Sequence, residues 1–225
     1  MIEHPLMLFV IFPVLAYVIG STPFGVLIAR AHHVDLRRAG SGNVGATNVG
    51  RVIGRPWGYL CFLLDCAKGL APALAVGMIL RGRPGFPTEA HQLSWLAVGC
   101  GTIVGHVLSF WLKFRGGKGV ATSLGVVMGV FPYFTYAGLV ALAIWVVVVL
   151  ASRYVSLASI VAAAAFLPVF VAVSLAFGWR LGRLWPLMAF AAVMAALIIV
   201  RHRNNIRRLL AGTENKIARS RPREA

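Results

Sequence analysis

Acidic residues are scarce in this chain: six Asp and Glu stand among 225 residues, and all charged residues together make up 12%. Soluble globular domains carry roughly 25%, so water is not the main solvent of this protein. Cysteine is scarce as well. Cys61, Cys66 and Cys100 lie in apolar stretches without a C-x-x-C spacing, which excludes a disulfide framework and gives no zinc site; they read as buried packing thiols. A basic n-region is missing at Met1-Ile2-Glu3-His4, and no small-residue cleavage site follows, so the first apolar segment is expected to be a retained span rather than a signal peptide.

What is abundant is apolar sequence, at 59% of residues. Apolar stretches reach the ~20 residues needed to cross ~30 Å of hydrocarbon. Seven segments follow from the breakers, near 6–28, 57–80, 93–112, 120–134, 136–151, 157–177 and 185–200. The fourth and fifth are short, and residues 120–151 could instead form one long tilted helix or turn near Phe131-Pro132-Tyr133.

The net charge of +16 invites a nucleic-acid reading, yet position argues against it. With seven spans, seventeen of the 22 Lys and Arg fall on one side and four on the other, leaving Lys68 inside a span. That is a positive-inside asymmetry needing no polymer ligand. It predicts an all-α bundle of seven transmembrane helices over residues 1–225, one domain, with the N-terminus outside and the C-terminus in the cytoplasm. No repeat of 20–50 residues is visible. Pairs such as Gly101 with Gly105 and Gly125 with Gly129 fit close helix packing.

Under this topology the polar stretches gather on the cytoplasmic side. Residues 40–51, Gly-Ser-Gly-Asn-Val-Gly-Ala-Thr-Asn-Val-Gly-Arg, combine glycines, amides and an arginine as an anion-binding loop would. The G-x-G-x-x-G within it, at Gly40, Gly42 and Gly45, is a decoy, since a dinucleotide site needs a strand before it and a parallel sheet around it. Gly105-His106 with Phe114-Arg-Gly-Gly-Lys-Gly-Val-Ala-Thr122 places Lys118 before a helix N-terminus, which favours anions. It is not a Walker A loop, because Gly119 follows the lysine. Arg153 to Ser159 and the basic tail from Arg201 complete the set, His202 and Asn205 being expected on one helix face. Asp65 and Lys68, at i and i+3 inside the second span, are expected to pair or to meet substrate.

Together these stretches resemble the three signatures of the bacterial acyl-phosphate:glycerol-3-phosphate acyltransferases, the PlsY family, nearly end to end. The resemblance implies transfer of a fatty acyl group from acyl phosphate to the sn-1 hydroxyl of glycerol 3-phosphate. The products would be lysophosphatidic acid and inorganic phosphate, an early step of bacterial phospholipid synthesis in the inner membrane. It implies Ser41, Asn43, Lys118, His202 and Asn205 as catalytic residues. Arg51, Lys68 and Ser156 join Lys118, His202 and Asn205 in substrate and phosphate binding, with Arg51, Lys118 and His202 gripping phosphate. No cofactor, metal, nucleic acid or obligate protein partner is expected; the partners are the two substrates and membrane lipids. The glycerolipid acyltransferases that place Asp five residues after His are a poorer match, since Phe9, Arg37, Arg38, Leu96, Trp111 and Arg207 hold those positions here. A transporter with broken helices around a midplane site is the main rival, disfavoured by the one-sided polar residues and the lack of an inverted repeat.

Overall fold

The protein is described by a computed structural model covering residues 4–217, and among those residues it contains helices and no strand. Residues 218–225 of the basic tail lie outside the described residues. The first apolar segment is helical but broken, giving α1 (Phe12–Ser21) and α2 (Phe24–Ala31). Proline at 23 disfavours helical backbone in the residue before it, and Thr22 accordingly turns to φ −57°, ψ 117°. Two carbonyls freed by this break find donors elsewhere, as buried backbone requires: Ser109 Oγ donates to Ser21 O over 2.6 Å, and Lys68 Nζ to Thr22 O over 2.8 Å.

A short helix α3 (Ala46–Val52) leads into α4 (Arg55–Arg81), whose 27 residues span about 40 Å at 1.5 Å per residue. Next comes α5 (Glu89–Val107), whose first turn is closed by reciprocal bonds between Thr88 and His91. Helices α6 (Val120–Gly129) and α7 (Tyr133–Ser152) are separate. Proline 132 cannot donate to the helix ladder, so the chain breaks around it. The expected fourth span, 120–134, therefore stops at Gly129, and its 10 residues cover about 15 Å, half the hydrocarbon thickness. The fifth is longer than expected. Then follow α8 (Val155–Ala176), α9 (Trp185–Arg201) and α10 (Arg203–Leu210). The last two meet at 56° instead of forming one straight helix, with His202 at the bend.

Among the described residues, five helical segments are long and apolar enough to cross a membrane, or six if α9 and α10 count as one bent span. Small residues set how closely they approach. A Cβ on Gly101 or Gly105 would stand 2.4 or 2.3 Å from the carbonyls of Pro13 and Tyr17 on α1, and one on Gly125 would stand 2.0 Å from Cys66 O on α4. Both glycine pairs thus lie at close helix contacts, as their spacing predicts. The core between them centres on Phe134, edge-on to Phe166 and Phe170 at 5.3 and 5.1 Å. Leu63, Leu139, Val147, Leu150 and Leu175 point outward and exposed, the surface expected of helices solvated by lipid.

Candidate active site

The polar loop after α2 is organised by one buried amide. Asn48 Nδ2 donates to the carbonyls of Leu36, Ala39 and Asn43, and its Oδ1 accepts from Ser41 N over 2.8 Å. With its hydrogen bonds spent on backbone, Asn48 shapes the loop and leaves ligand contact to its neighbours. Gly40 supplies a left-handed turn at φ 60°, where a Cβ would stand 2.3 Å from Asn48 Oδ1. Asn43 Oδ1 caps the next turn by accepting from Gly45 N, so its amide nitrogen remains available. One turn on, α3 presents Arg51.

The loop from Lys113 to Gly119 folds back on the end of α5. Gly116 N donates to Val107 O, and Gly117 N to His106 O, over 3.0 and 3.1 Å. This anchors the loop, and Lys118 reaches inward to donate to Asn205 Oδ1 over 2.6 Å. Burial lowers its ammonium to about 8; Glu214 opposes the shift, while Arg208, Arg201 and Arg51 add to it. Lys118 is therefore a cation at neutral pH that loses its proton far more readily than an ordinary lysine.

His202 is 2% exposed. Its Nδ1 stands 2.7 Å from Ile198 O, and a carbonyl only accepts, so Nδ1 carries the proton and Nε2 is left as an acceptor. Burial pushes the ring down to about 4, with the Ile198 carbonyl opposing and Lys118 contributing. With Nδ1 given to Ile198 O, Nε2 is set to accept a hydrogen bond. The bend at 202 also means that His202 and Asn205 converge as the cap and first turn of α10, not as neighbours on a straight helix.

Glu214 is the residue that sequence reasoning missed. Its carboxylate accepts from Ser156 Oγ at 2.9 Å, Asn205 Nδ2 at 2.6 Å and Arg208 Nε at 2.7 Å. Burial works against its charge, yet these three donors outweigh it and hold the carboxyl below its ordinary value. The signal available was rarity: an acid in a tail otherwise full of arginine.

Seven of the eight expected site residues, Ser41, Asn43, Arg51, Lys118, Ser156, His202 and Asn205, line one cavity of about 130 Å³. Lys68 does not. Its ammonium is 2.7 Å from Asp65 Oδ1, with both side chains almost wholly buried, so the expectation of pairing holds and substrate contact by Lys68 is not supported. Two further spaces adjoin the cavity. A polar one of about 290 Å³ shares Ser41, Asn43, Lys118 and Asn205 and adds Arg201 and Arg203. An apolar one of about 120 Å³ runs between α6, α7, α8 and α9 and joins at Phe62, Val120, Trp145 and Ser159. Among the described residues no three of His, Cys, Asp and Glu come together as metal ligands.

Cations and amides beside an apolar groove suit a phosphorylated amphiphile, and comparison with known proteins agrees. The family model described as glycerol-3-phosphate acyltransferase matches residues 10–212. The chain belongs to the glycerol-3-phosphate acyltransferase family. It is 46% identical over 202 residues to the glycerol-3-phosphate acyltransferase of Geobacter sulfurreducens, covering 89% of this chain and 93% of that one. It is 44% identical to that of Aquifex aeolicus, covering 90% and 96%. Crystal structures of PlsY, an integral membrane glycerol 3-phosphate acyltransferase, superpose with TM-scores of 0.78 for a glycerol 3-phosphate form and 0.76 for a lysophosphatidic acid form. Identities are 39% and 38%, with 92% of this chain and 94% of those chains covered. This glycerol-3-phosphate acyltransferase family member is accordingly an integral membrane acyltransferase of phospholipid synthesis.

Proposed function

We propose that this acyltransferase takes its acyl group from acyl phosphate and delivers it to the sn-1 hydroxyl of glycerol 3-phosphate, yielding lysophosphatidic acid and inorganic phosphate. The observation that carries the reading is that a cavity walled by Arg51 and Lys118 adjoins an apolar groove, the two sharing Val120 and Trp145 in their walls. A phosphate headgroup and a fatty chain fit that pair of spaces. Each buried CH₂ contributes ~0.8 kcal/mol, so the groove supplies affinity while the cations fix the headgroup.

The hydroxyl oxygen attacks the acyl carbonyl carbon, the bond from that carbon to the bridging phosphate oxygen breaks, and the hydroxyl proton leaves on inorganic phosphate. An acyl phosphate is already an activated anhydride, and no acyl-enzyme is required. Lys118 and Arg51 hold phosphate and stabilise charge on the carbonyl and leaving group. Ser41 and the free amide of Asn43 orient the reacting groups; Nε2 of His202 accepts from the glycerol hydroxyl and aims it. Ser156 and Asn205 act through Glu214 and Lys118, which they hold.

We place this site at the cytoplasmic face of the bacterial inner membrane, in a single domain with seven membrane passages, the N-terminus outside and the C-terminus inside. Supporting that arrangement are the charge asymmetry and the gathering of the glycine- and amide-rich loop, the lysine loop and the basic tail around one cavity. The short α6, packed by Gly125 against α4, would make its passage together with the turn at 130–132.

The test incubates purified protein and glycerol 3-phosphate separately with acyl phosphate, acyl-CoA and acyl carrier protein thioester. Lysophosphatidic acid and stoichiometric phosphate from acyl phosphate alone is the expected result; turnover with either thioester and none with acyl phosphate overturns the reading.

A further inference from the structure

A buried charge cluster lies beneath the lysine loop and outside the set of residues assigned above. Asp65 Oδ1 on α4 stands 2.7 Å from Lys68 Nζ and 3.6 Å from His106 Nδ1 on α5. Cys61 Sγ lies 3.7 Å from Asp65 Oδ2. Lys68 in turn donates to Thr22 O at the break between α1 and α2. Charged groups buried between membrane helices are costly and persist where they pair and where they serve a site. Both Asp65 and His106 reach the wall of the main cavity.

The link to chemistry runs through His106. Its carbonyl receives Gly117 N, and its ring lies so close to Gly117 that a Cβ there would stand 2.2 Å from Nε2; a Cβ on Gly116 would stand 1.9 Å from His106 O. The loop that carries Lys118 is therefore laid directly on the imidazole and its peptide. Among the described residues Nε2 has no hydrogen-bond partner, whereas Nδ1 faces Asp65. The carboxylate thus faces the ring across 3.6 Å, an ion contact rather than a hydrogen bond, and the ring lies under the seat of the loop. Lys68 holds the carboxylate and ties it to the α1–α2 break, so three helices agree on one geometry.

We infer that Asp65 and His106, with Lys68 as counter-ion, are positioning residues of the acyltransfer site, acting on the reaction by holding the Gly116–Lys118 segment against α5. This rests on the reading of Lys118 as a phosphate-binding group. A purely structural cluster would change stability alone. A positioning cluster changes how Lys118 meets phosphate.

The experiment compares Asp65→Asn, His106→Gln, His106→Ala and the charge-neutral double variant Asp65→Asn/Lys68→Met with wild type, in detergent, by steady-state kinetics and thermal unfolding. The double variant guards against misfolding, since removing one partner alone strands a buried charge. Expected is a fall in kcat/KM for acyl phosphate of about ten- to hundredfold, the size of a misplacement near 1 Å, with partial recovery in His106→Gln relative to His106→Ala. The alkaline limb of the rate profile should also move upward in the variants, because a loosened Lys118 is better hydrated. It then lies farther from the groups facing it, Arg51 on α3, Arg201 on α9, His202, Arg208 on α10 and Glu214. Full turnover in the double variant, or a loss that tracks melting temperature with the alkaline limb unmoved, overturns the inference. Donor specificity is scored on wild type, so a failure there is a failure of the proposed reaction and not of this cluster.

Discussion

Lys118 and Asn205 are 87 residues apart in sequence and 2.6 Å apart in space, and that hydrogen bond joins the loop before α6 to the helix after the last long span. Replacing Lys118 with Ala should lower kcat/KM by about 10²–10³, the cost of removing one preorganised charge-stabilising donor. Initial rates over a glycerol 3-phosphate series measure it. Retention of full activity in folded protein would sink the assignment.

The pH profile follows from two buried groups. His202, at about 4, stays neutral through the physiological range, and Lys118, at about 8, is charged below that value. Turnover should hold a plateau from about pH 5.5 to 7.5 and fall as pH rises through 8. The stability contribution has the opposite direction for His202. Its folded value lies below the ordinary one, so its share is present above about 6.5 and lost as pH falls toward 4. Thermal unfolding at pH 4.5 and 7 should show the difference.

Glu214→Gln keeps the shape but removes the anion that Ser156, Asn205 and Arg208 share. All three charge-assisted bonds weaken, to Ser156, Asn205 and Arg208, and the cavity gains net positive charge. A loss of about 1–3 kcal/mol in unfolding stability is expected. The alkaline limb of Lys118 should shift to lower pH, since the carboxylate is what raises that ammonium's value. An unmoved limb would show that Glu214 does not act on Lys118.

In the proposed reaction the acyl chain lies in the apolar groove. Ala162→Trp on α8 fills space beside the chain, and each methylene excluded forfeits ~0.8 kcal/mol, about fourfold in affinity. The optimum should move to shorter acyl phosphates, read from kcat/KM across a donor series. An unchanged optimum would place the chain elsewhere.

Gly125→Ala places a methyl 2.0 Å from Cys66 O, and backbone cannot yield as a side chain can. Overpacking of this kind costs about 1–3 kcal/mol. Melting temperature in detergent should drop, whereas Gly182→Ala, with nothing within 4 Å, should leave it unchanged.

Helix content was plain from the apolar runs, because hydrocarbon leaves backbone polar groups no partner but their own helix. That residues 40–51 and 114–122 would wall a polar site was legible too, since glycines, amides and cations gather there between membrane helices. Less visible was how each would be deployed. Asn48 and Asn43 look alike in sequence, yet one is consumed by backbone and the other keeps a free amide. His202 reads as a phosphate contact in an arginine-rich tail, yet burial lowers its ring to about 4 and the Ile198 carbonyl takes up Nδ1. Lys68 reads as a phosphate ligand, yet Asp65 and Thr22 O claim it.

Composition and order of residues determined that the protein is a membrane helix bundle and which loops carry its glycines, amides and cations, because hydrophobic length and charge placement act locally along the chain. Tertiary structure alone decided that Arg51, Lys118, Ser156, His202 and Asn205 share one cavity, that Glu214 belongs among them, and that Asp65 and His106 stand under the lysine loop. Those relations depend on how closely glycine faces let helices approach and on where prolines break them, and distances across a bundle are not written in the spacing of residues along it.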